Sequence, residues 1–349
     1  MMMQSTDDAA STRAPVLIDF ALQGGGAHGA FTWGVLDRML EEPWLRIDGI
    51  SGTSAGAMNA AALAYGYMLN GAAGARAALE GFWRRVSQAG RFSPIQRGPL
   101  DILLGRWSLD SSPTYIAIDM MSRLFSPYEL NLTGWNPLRK ILNEGVEFDR
   151  LPESPIKLFI TATNVATGRA RVFRNPEITP DVLIASACLP TMFQAIEIDG
   201  DAYWDGGYSG NPTITPLVRE GESQDTIIIP INPIERKGAP RAASDILNRL
   251  NEVAFNAVLL KELRMIALLR RVADPNDEEG EKWAKMRVHC VTNEIMAELN
   301  ASSKLIAEWD FLWMLREQGR LAAEKFLSAH RDDLGRRSTL DLDELLKGV

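Results

Sequence analysis

The spacing of apolar residues changes several times along the chain, and each change marks an element boundary. Residues 16–22 read VLIDFAL, a nearly unbroken apolar run with the length of a buried strand. It stops at Gln23 and three glycines, and the apolar-rich segment 27–40 that follows suits a helix. Residues 47–51 predict a second short strand, again followed by glycines and by a helix over 54–69. A further helix is expected over 72–87. This βαβα order predicts an α/β fold of three layers, a mostly parallel central sheet flanked by helices.

Residues 90–135 break the pattern. Trp107, Tyr115, Met120, Met121, Phe125 and Trp135 are scattered among polar residues, Pro and Gly. The segment reads as loops and short helices that either cover a pocket or pack a small core of their own. Regular spacing returns with IKLFITAT over 156–163, a strand, and 171–173 is a second candidate strand. A short helix is expected over 181–187, before Pro190. Asp199-Gly200-Asp201 has the composition of a hairpin turn between two short strands. TIIIPI over 226–231 is a strand that Pro230 places near an edge or ends early.

From residue 242 the spacing becomes helical. Ile246, Leu250, Phe255, Leu259, Leu263 and Ile266 recur mostly four apart within 244–272. Residues 274–281 read as a polar loop, 286–291 as a short strand, and 302–330 as mainly helical. This tail is either a second layer on the same sheet or a small appended domain.

Composition narrows the class. A chain of 349 residues with 46% hydrophobic residues, 28 Gly and 18 Pro is globular, not collagen-like, coiled-coil or wholly disordered. Its net charge of −8 argues against a general nucleic-acid binder. Cys188 and Cys290 form no CxxC pair, so a zinc knuckle is not expected; two reduced thiols of a cytosolic protein are the simplest reading. The opening MMMQSTDDAASTRAP has two acids and no apolar core, and no apolar run reaches the length of a membrane-spanning helix. The expected location is cytoplasmic, with peripheral contact at a membrane, lipid or polyester surface left open.

The sharpest chemical signal is Gly52-Thr53-Ser54-Ala55-Gly56, a G-x-S-x-G between a predicted strand and a predicted helix. Small residues let the chain turn within about one residue and lift the Ser54 hydroxyl beside a helix N-terminus. The competing role for Ser54 is an ordinary helix cap. Gly24-Gly25-Gly26-Ala27-His28-Gly29 offers successive unhindered N–H groups that can hold an oxyanion. The same run matches the dinucleotide fingerprint G-x-G-x-x-G, with Glu41, Glu42 and Asp48 in range for a ribose contact. A serine nucleophile needs a base, and there are three histidines. His28 lies in the glycine run; neither His289 nor His330 lies in a Gly-rich strand-end loop, so each reads as structural or exposed. A carboxylate can serve instead, and Asp205 in Asp205-Gly206-Gly207 is the best candidate. Its competing role is a surface turn, and an ordinary Asp is a weak base.

These motifs occur in a recognisable order: G-G-G-x-x-G, G-T-S-A-G, then Ala185-Ser186-Ala187-Cys188-Leu189-Pro190, then D-G-G. In this order the chain resembles the patatin-like phospholipase family over roughly residues 14–235. The resemblance implies a Ser-Asp dyad without histidine: Ser54 as nucleophile, Asp205 as base. It implies that Gly24, Gly25 and Gly26 border the oxyanion hole, with Gly29, Gly52, Gly56, Gly206 and Gly207 as motif positions. It implies a lipid or ester substrate and neither metal nor organic cofactor. Phospholipids, other esters or thioesters, and polyhydroxyalkanoate remain open as substrates, as does a non-catalytic lipid- or protein-binding role. One position departs: the family usually has Arg or Lys where this chain has His28, a group about half charged near pH 6.5. The expected organisation is a flexible 1–13, a catalytic domain 14–235, a mainly helical accessory region 242–335 and a tail 336–349. Ser302-Ser303-Lys304, Trp309-Asp310-Phe311-Leu312 and Gly319-Arg320 look like the accessory region of a bacterial subgroup, with no role assigned to single residues.

Overall fold

The computed structural model describes residues 13–236 and 238–344. The expected flexible start therefore lies outside the described residues, apart from Arg13. The strands are β1 Val16–Leu22, β2 Leu45–Gly52, β3 Lys157–Asn164, β4 Ala170–Arg174, β5 Ile196–Ile198, β6 Asp201–Asp205, β7 Asp225–Ile229 and β8 Arg287–Cys290. Helices α1 Gly29–Met39 and α2 Ala55–Gly90 follow the first two strands. Four short helices come next: α3 Pro99–Leu103, α4 Pro113–Leu124, α5 Pro127–Leu130 and α6 Pro137–Asn143. The remainder are α7 Pro180–Ser186, α8 Thr215–Glu220, α9 Ala243–Val272, α10 Glu278–Lys285, α11 Ile295–Glu298 and α12 Trp309–His330.

The sheet runs β5-β6-β3-β2-β1-β7-β8, with β4 also paired to β3. Pairings from β3 through β2, β1 and β7 to β8 are parallel; those joining β3 to β4, β3 to β6 and β5 to β6 are antiparallel. Alternation along the strands divides the core in two. Ile18, Phe20, Leu22, Leu158, Ile160, Ile227 and Ile229 face a large cluster built with α1, α2, α7 and α12. Ala21, Phe159, Ile228 and Val288 face a smaller one built with α8, α9 and α10. Helices on both faces of one sheet make the three layers.

Pro230 ends β7 early, as expected, with β7 one strand in from the edge between β1 and β8. The proline falls just past the last ladder position, so its missing N–H costs no sheet bond. Two other local expectations are corrected. The polar stretch read as a loop over 274–281 already contains the start of α10. Asp277 caps it by accepting the Gly280 N–H at 3.1 Å, and Glu278, Glu279 and Glu281 favour its N-terminal turn. The two helices expected over 54–87 join as α2, kinked where Asn70 and Gly71 leave helical geometry; Gly71 has φ +53°.

The tail shares the sheet: β8 pairs with β7, and Phe311, Leu312 and Leu315 of α12 are buried in the larger core beside α1. Gly34 and Gly319 let these helices touch, since a Cβ on Gly34 would lie 1.9 Å from the Arg316 carbonyl oxygen. The segment over 90–135 joins the core only in part: Leu109 is buried in the larger core and Ile95, Trp107 and Tyr115 pack against it, but most of the rest stays outside. No residue of α4 is buried, and Leu103, Leu124, Leu132 and Trp135 are 82%, 75%, 81% and 69% exposed. Its attachment to the loop after α7 is polar: Gln194 Nε2 donates to the Asn131 carbonyl and the Ala195 N–H donates to Tyr128 Oη.

Candidate active site

Strand register brings the motifs together. Leu22 pairs with Gly52, Gly52 with Ile160, and Ala162 with Asp205. The glycine run after β1, the turn after β2 and the end of β6 therefore meet at one level of the sheet.

Ser54 occupies the turn with φ +52° and ψ −120°, a left-handed conformation that costs a non-glycine residue about 1–3 kcal/mol. Its neighbours explain the glycines. A Cβ on Gly52 would lie 2.6 Å from the Gly56 carbonyl oxygen, and one on Gly56 would lie 2.3 Å from that of Leu22. Ser54 precedes α2, yet its side chain makes no capping hydrogen bond. The helix-cap role is thus excluded, and the hydroxyl stays available beside the positive end of the helix. Its backbone N–H donates to Ser186 Oγ at 2.9 Å, and Ser186 Oγ donates to the Thr161 carbonyl at 2.7 Å. Ser186, in the third motif, thereby ties the strained turn to β3.

Asp205 is 1% exposed, so the Asp-Gly-Gly segment is no surface turn. Burial pushes its carboxyl up to about 7, against the Gly207 N–H, the Ser54 hydroxyl and the more distant Lys304 charge, which all pull it down. The Gly207 N–H bond is 2.7 Å long. The Asp205 backbone is pinned by its own N–H to the Cys188 carbonyl and by Thr163 Oγ1 to its carbonyl, both 2.8 Å. Phe255 of α9 fills the space beside Gly207, where a Cβ would meet its ring at 2.1 Å. A carboxyl near 7 is a far better proton acceptor than an ordinary aspartate.

The glycine run is in direct contact with the turn. A Cβ on Gly24 would sit 2.7 Å from Ser54 Cβ and 2.8 Å from the Thr53 carbonyl oxygen. The Gly24 N–H, expected as an oxyanion donor, is instead committed to Asn211 Oδ1 at 2.7 Å. Asn232 Nδ2 holds the Gly24 carbonyl at 2.9 Å. Among the described residues the N–H groups of Gly25 and Gly26 have no protein acceptor, and they are the donors left for an anion. Gln23 anchors the run by accepting the Ile231 and Asn232 N–H groups, both at 2.8 Å. Neither Asn211 nor Asn232 lies within one of the four motifs. Asn211 follows the D-G-G motif closely, which is its one local signal.

The dinucleotide alternative fails on placement. Glu41 and Glu42 precede β2, Asp48 lies in its first half, and all three are engaged by Arg or Lys side chains. A ribose-binding acid belongs at the other end of that strand, beside the glycine run.

The histidines separate clearly. His289 is buried between Asp225 and Thr339, and His330 meets Asp333, all distant from Ser54 in the fold. His28 is 2% exposed, and its Nε2 lies 2.7 Å from Ser303 Oγ. Ser303 Oγ donates its one proton to the Asn300 carbonyl, so it accepts from His28 Nε2–H. Nδ1 is then unprotonated, and it has no partner among the described residues. Burial, then the charges of Lys304 and Arg236, hold His28 well below the usual histidine range. The expectation of a half-charged group near pH 6.5 is thus corrected: His28 is neutral there.

Cys188 and Cys290 are both free thiols. Among the described residues no group of His, Cys, Asp or Glu is arranged to hold a metal ion, and no helix is long and apolar enough to cross a membrane.

The family profile described as "Patatin-like phospholipase" matches residues 20–218. None of the curated proteins compared matches the chain. Among solved structures, VipD from Legionella pneumophila is similar at 16% identity, over 92% of this chain and 68% of that one. The TM-score of 0.40 is too low to carry a functional reading across.

Proposed function

This chain belongs to the patatin-like phospholipase family, whose members act on lipid and other acyl esters, and from that premise we propose a serine acyl hydrolase working through Ser54 and Asp205. Asp205 accepts the hydroxyl proton as Ser54 Oγ attacks the ester carbonyl. The N–H groups of Gly25 and Gly26 receive the oxyanion, assisted by the N-terminus of α2. Asp205 returns the proton to the departing alcohol, leaving an acyl-Ser54 ester. It then takes a proton from water as that water attacks the ester, and passes it to the departing Ser54 Oγ, which frees the fatty acid and restores the serine.

One observation carries the reading: a fully buried carboxyl, raised to about 7, has as its partner the hydroxyl of a serine in a strained strand-to-helix turn. The exposed apolar side chains over 100–135 support access at a lipid or polyester surface, since isolated monomers rarely leave so much apolar area in water. We assign residues 14–235 to the catalytic domain and 242–335 to a region packed against it.

The test is hydrolysis of short p-nitrophenyl esters, long-chain phosphatidylcholine and a 3-hydroxybutyrate oligomer by wild type, Ser54→Ala and Asp205→Asn. Turnover by the wild type, lost in both folded variants, is expected. The preferred substrate then distinguishes lipase from general esterase or polyester hydrolase. Wild-type turnover that survives both substitutions would overturn the dyad.

A further inference from the structure

His28, within the glycine run, is buried and neutral and gives that run no charge. The cation beside the glycine run comes from elsewhere. Gly26 packs against Lys304, whose carbonyl oxygen would lie 2.4 Å and whose Cβ would lie 3.3 Å from a Cβ on that glycine. The Lys304 ammonium donates to Asn232 Oδ1 at 2.6 Å. Asn232 in turn donates to the Gly24 carbonyl, and its Oδ1 lies 3.7 Å from where a Gly25 Cβ would be. The preceding residue, Ser303, accepts from His28. Two consecutive residues of the tail thus hold both ends of the glycine run, one by a hydroxyl and one through an amide.

We propose that Lys304 is a positioning residue that supplies, from the C-terminal region, the positive charge of the oxyanion region that His28 cannot supply. It acts through Asn232, which fixes Gly24 and so the orientation of the Gly25 and Gly26 N–H groups, and through its field at the forming oxyanion. The catalytic domain is then incomplete without residues 302–305. This inference rests on the hydrolase reading of Ser54 and Asp205 and adds a required group to it.

The groups around Lys304 set its working range. Burial lowers its ammonium, Glu252 of α9 and Asp205 of β6 favour the charge, and Arg236 opposes it, leaving a value of about 8. His28, facing it from the glycine run, is neutral and adds no charge. The charge is present below about pH 8 and is lost above it, so activity is expected to decline on the alkaline side.

The experiment measures kcat and KM on a short p-nitrophenyl ester between pH 6 and 10, and Ser54 labelling by a fluorophosphonate, for full-length wild type, Lys304→Met and Lys304→Arg. Thermal midpoints check folding. Lys304→Met is expected to lose about 10²-fold in kcat, the size of losing one oxyanion donor, with KM nearly unchanged. Lys304→Arg is expected to keep most of the activity and lose the alkaline decline, because arginine stays charged throughout. That second arm holds even if Lys304→Met fails to fold. Equal losses in both variants, or the wild-type decline retained in Lys304→Arg, would overturn the proposal. A wild type that neither turns over nor labels would remove the hydrolase reading and this inference together. Normal wild-type turnover with unaffected variants would remove only the inference.

Discussion

Asp205 and Asp225 are equally buried, each 1% exposed, yet their carboxyls are driven in opposite directions. Asp225 begins β7, and burial alone would raise it. His289, Arg287 and the Gly335 N–H outweigh burial and hold it below the ordinary range. Arg287 alone contributes bonds of 2.9 and 2.6 Å to Oδ2, while Gly335 N–H donates to Oδ1 at 2.8 Å. Asp205 has one backbone donor, one hydroxyl and only the remote field of Lys304. Exposure alone therefore does not separate a structural anchor from a base: Asp205 is the more deeply desolvated and has few donors, whereas the fuller set of donors and charges around Asp225 fixes its charge.

The largest effect should come from removing each carboxylate. Asp205→Asn, like Ser54→Ala, should lower kcat by about 10⁴-fold or more while the fold is kept. Asp225→Asn should leave turnover per folded molecule intact and cost about 3 kcal/mol of stability, because Arg287 loses its buried partner. Urea unfolding beside active-site titration separates the two. If Asp225→Asn lost turnover at unchanged stability, the contrast between anchor and base would collapse.

Next in size is Gly24→Ala, whose Cβ would fall 2.7 Å from Ser54 Cβ. Displacing the nucleophile by a fraction of an ångström should cost about 10²-fold in kcat. At the other carboxylate, Gly335→Ala tests a backbone donor held at φ +81°. It should cost about 1–2 kcal/mol of stability and leave kcat unchanged.

The two carboxyls also predict separate pH limbs. Asp205 works as a base only when ionised, so kcat/KM should fall about tenfold for each unit below its value near 7. Its raised folded value means that its contribution to stability is fully present below about pH 4 and is lost as pH rises through about 7. Asp225 has the opposite sign: its contribution is present above about pH 4 and is lost as pH falls through its lowered folded value. A pH–rate profile read beside a pH–stability curve should show the activity limb well above the acid unfolding limb. Coincident limbs would refute the assignment.

The parts of this arrangement visible in the sequence are those written in consecutive residues. β1, β2 and their glycine turns are legible because an apolar run followed by glycines has few other meanings. Ser54 is legible because the turn requires glycine on both sides. Asp205 is legible only through the order of the other motifs; Asp-Gly-Gly alone reads as a surface turn, and burial leaves no local mark. Asn232 has no period and no motif of its own, Asn211 has only its closeness to D-G-G, and Lys304 lies in a recognisable stretch that assigns it no role; all three reach the site through pairings between distant segments. β8 is legible as the short strand expected over 286–291, but its place in the sheet is not, because it is set by pairing with β7. His28 shows the limit from the other side: the departure is visible, but its neutral state follows from burial and from Ser303.

The smallest effect tests how the strained serine is held. Ser186 accepts the Ser54 N–H and donates to the Thr161 carbonyl, so Ser186→Ala leaves two buried polar groups without partners. That should cost about 1–3 kcal/mol of stability. The turn itself remains bounded by Gly52 and Gly56, and neither Asp205 nor the Gly25 and Gly26 donors are touched. Turnover should therefore fall only about 3- to 10-fold, through looser positioning of the hydroxyl. Fluorophosphonate labelling of Ser54 should slow by the same factor, since it reports the same attack. A loss as large as that of Asp205→Asn would mean that Ser186 takes part in proton transfer, and the base would no longer be a single carboxylate.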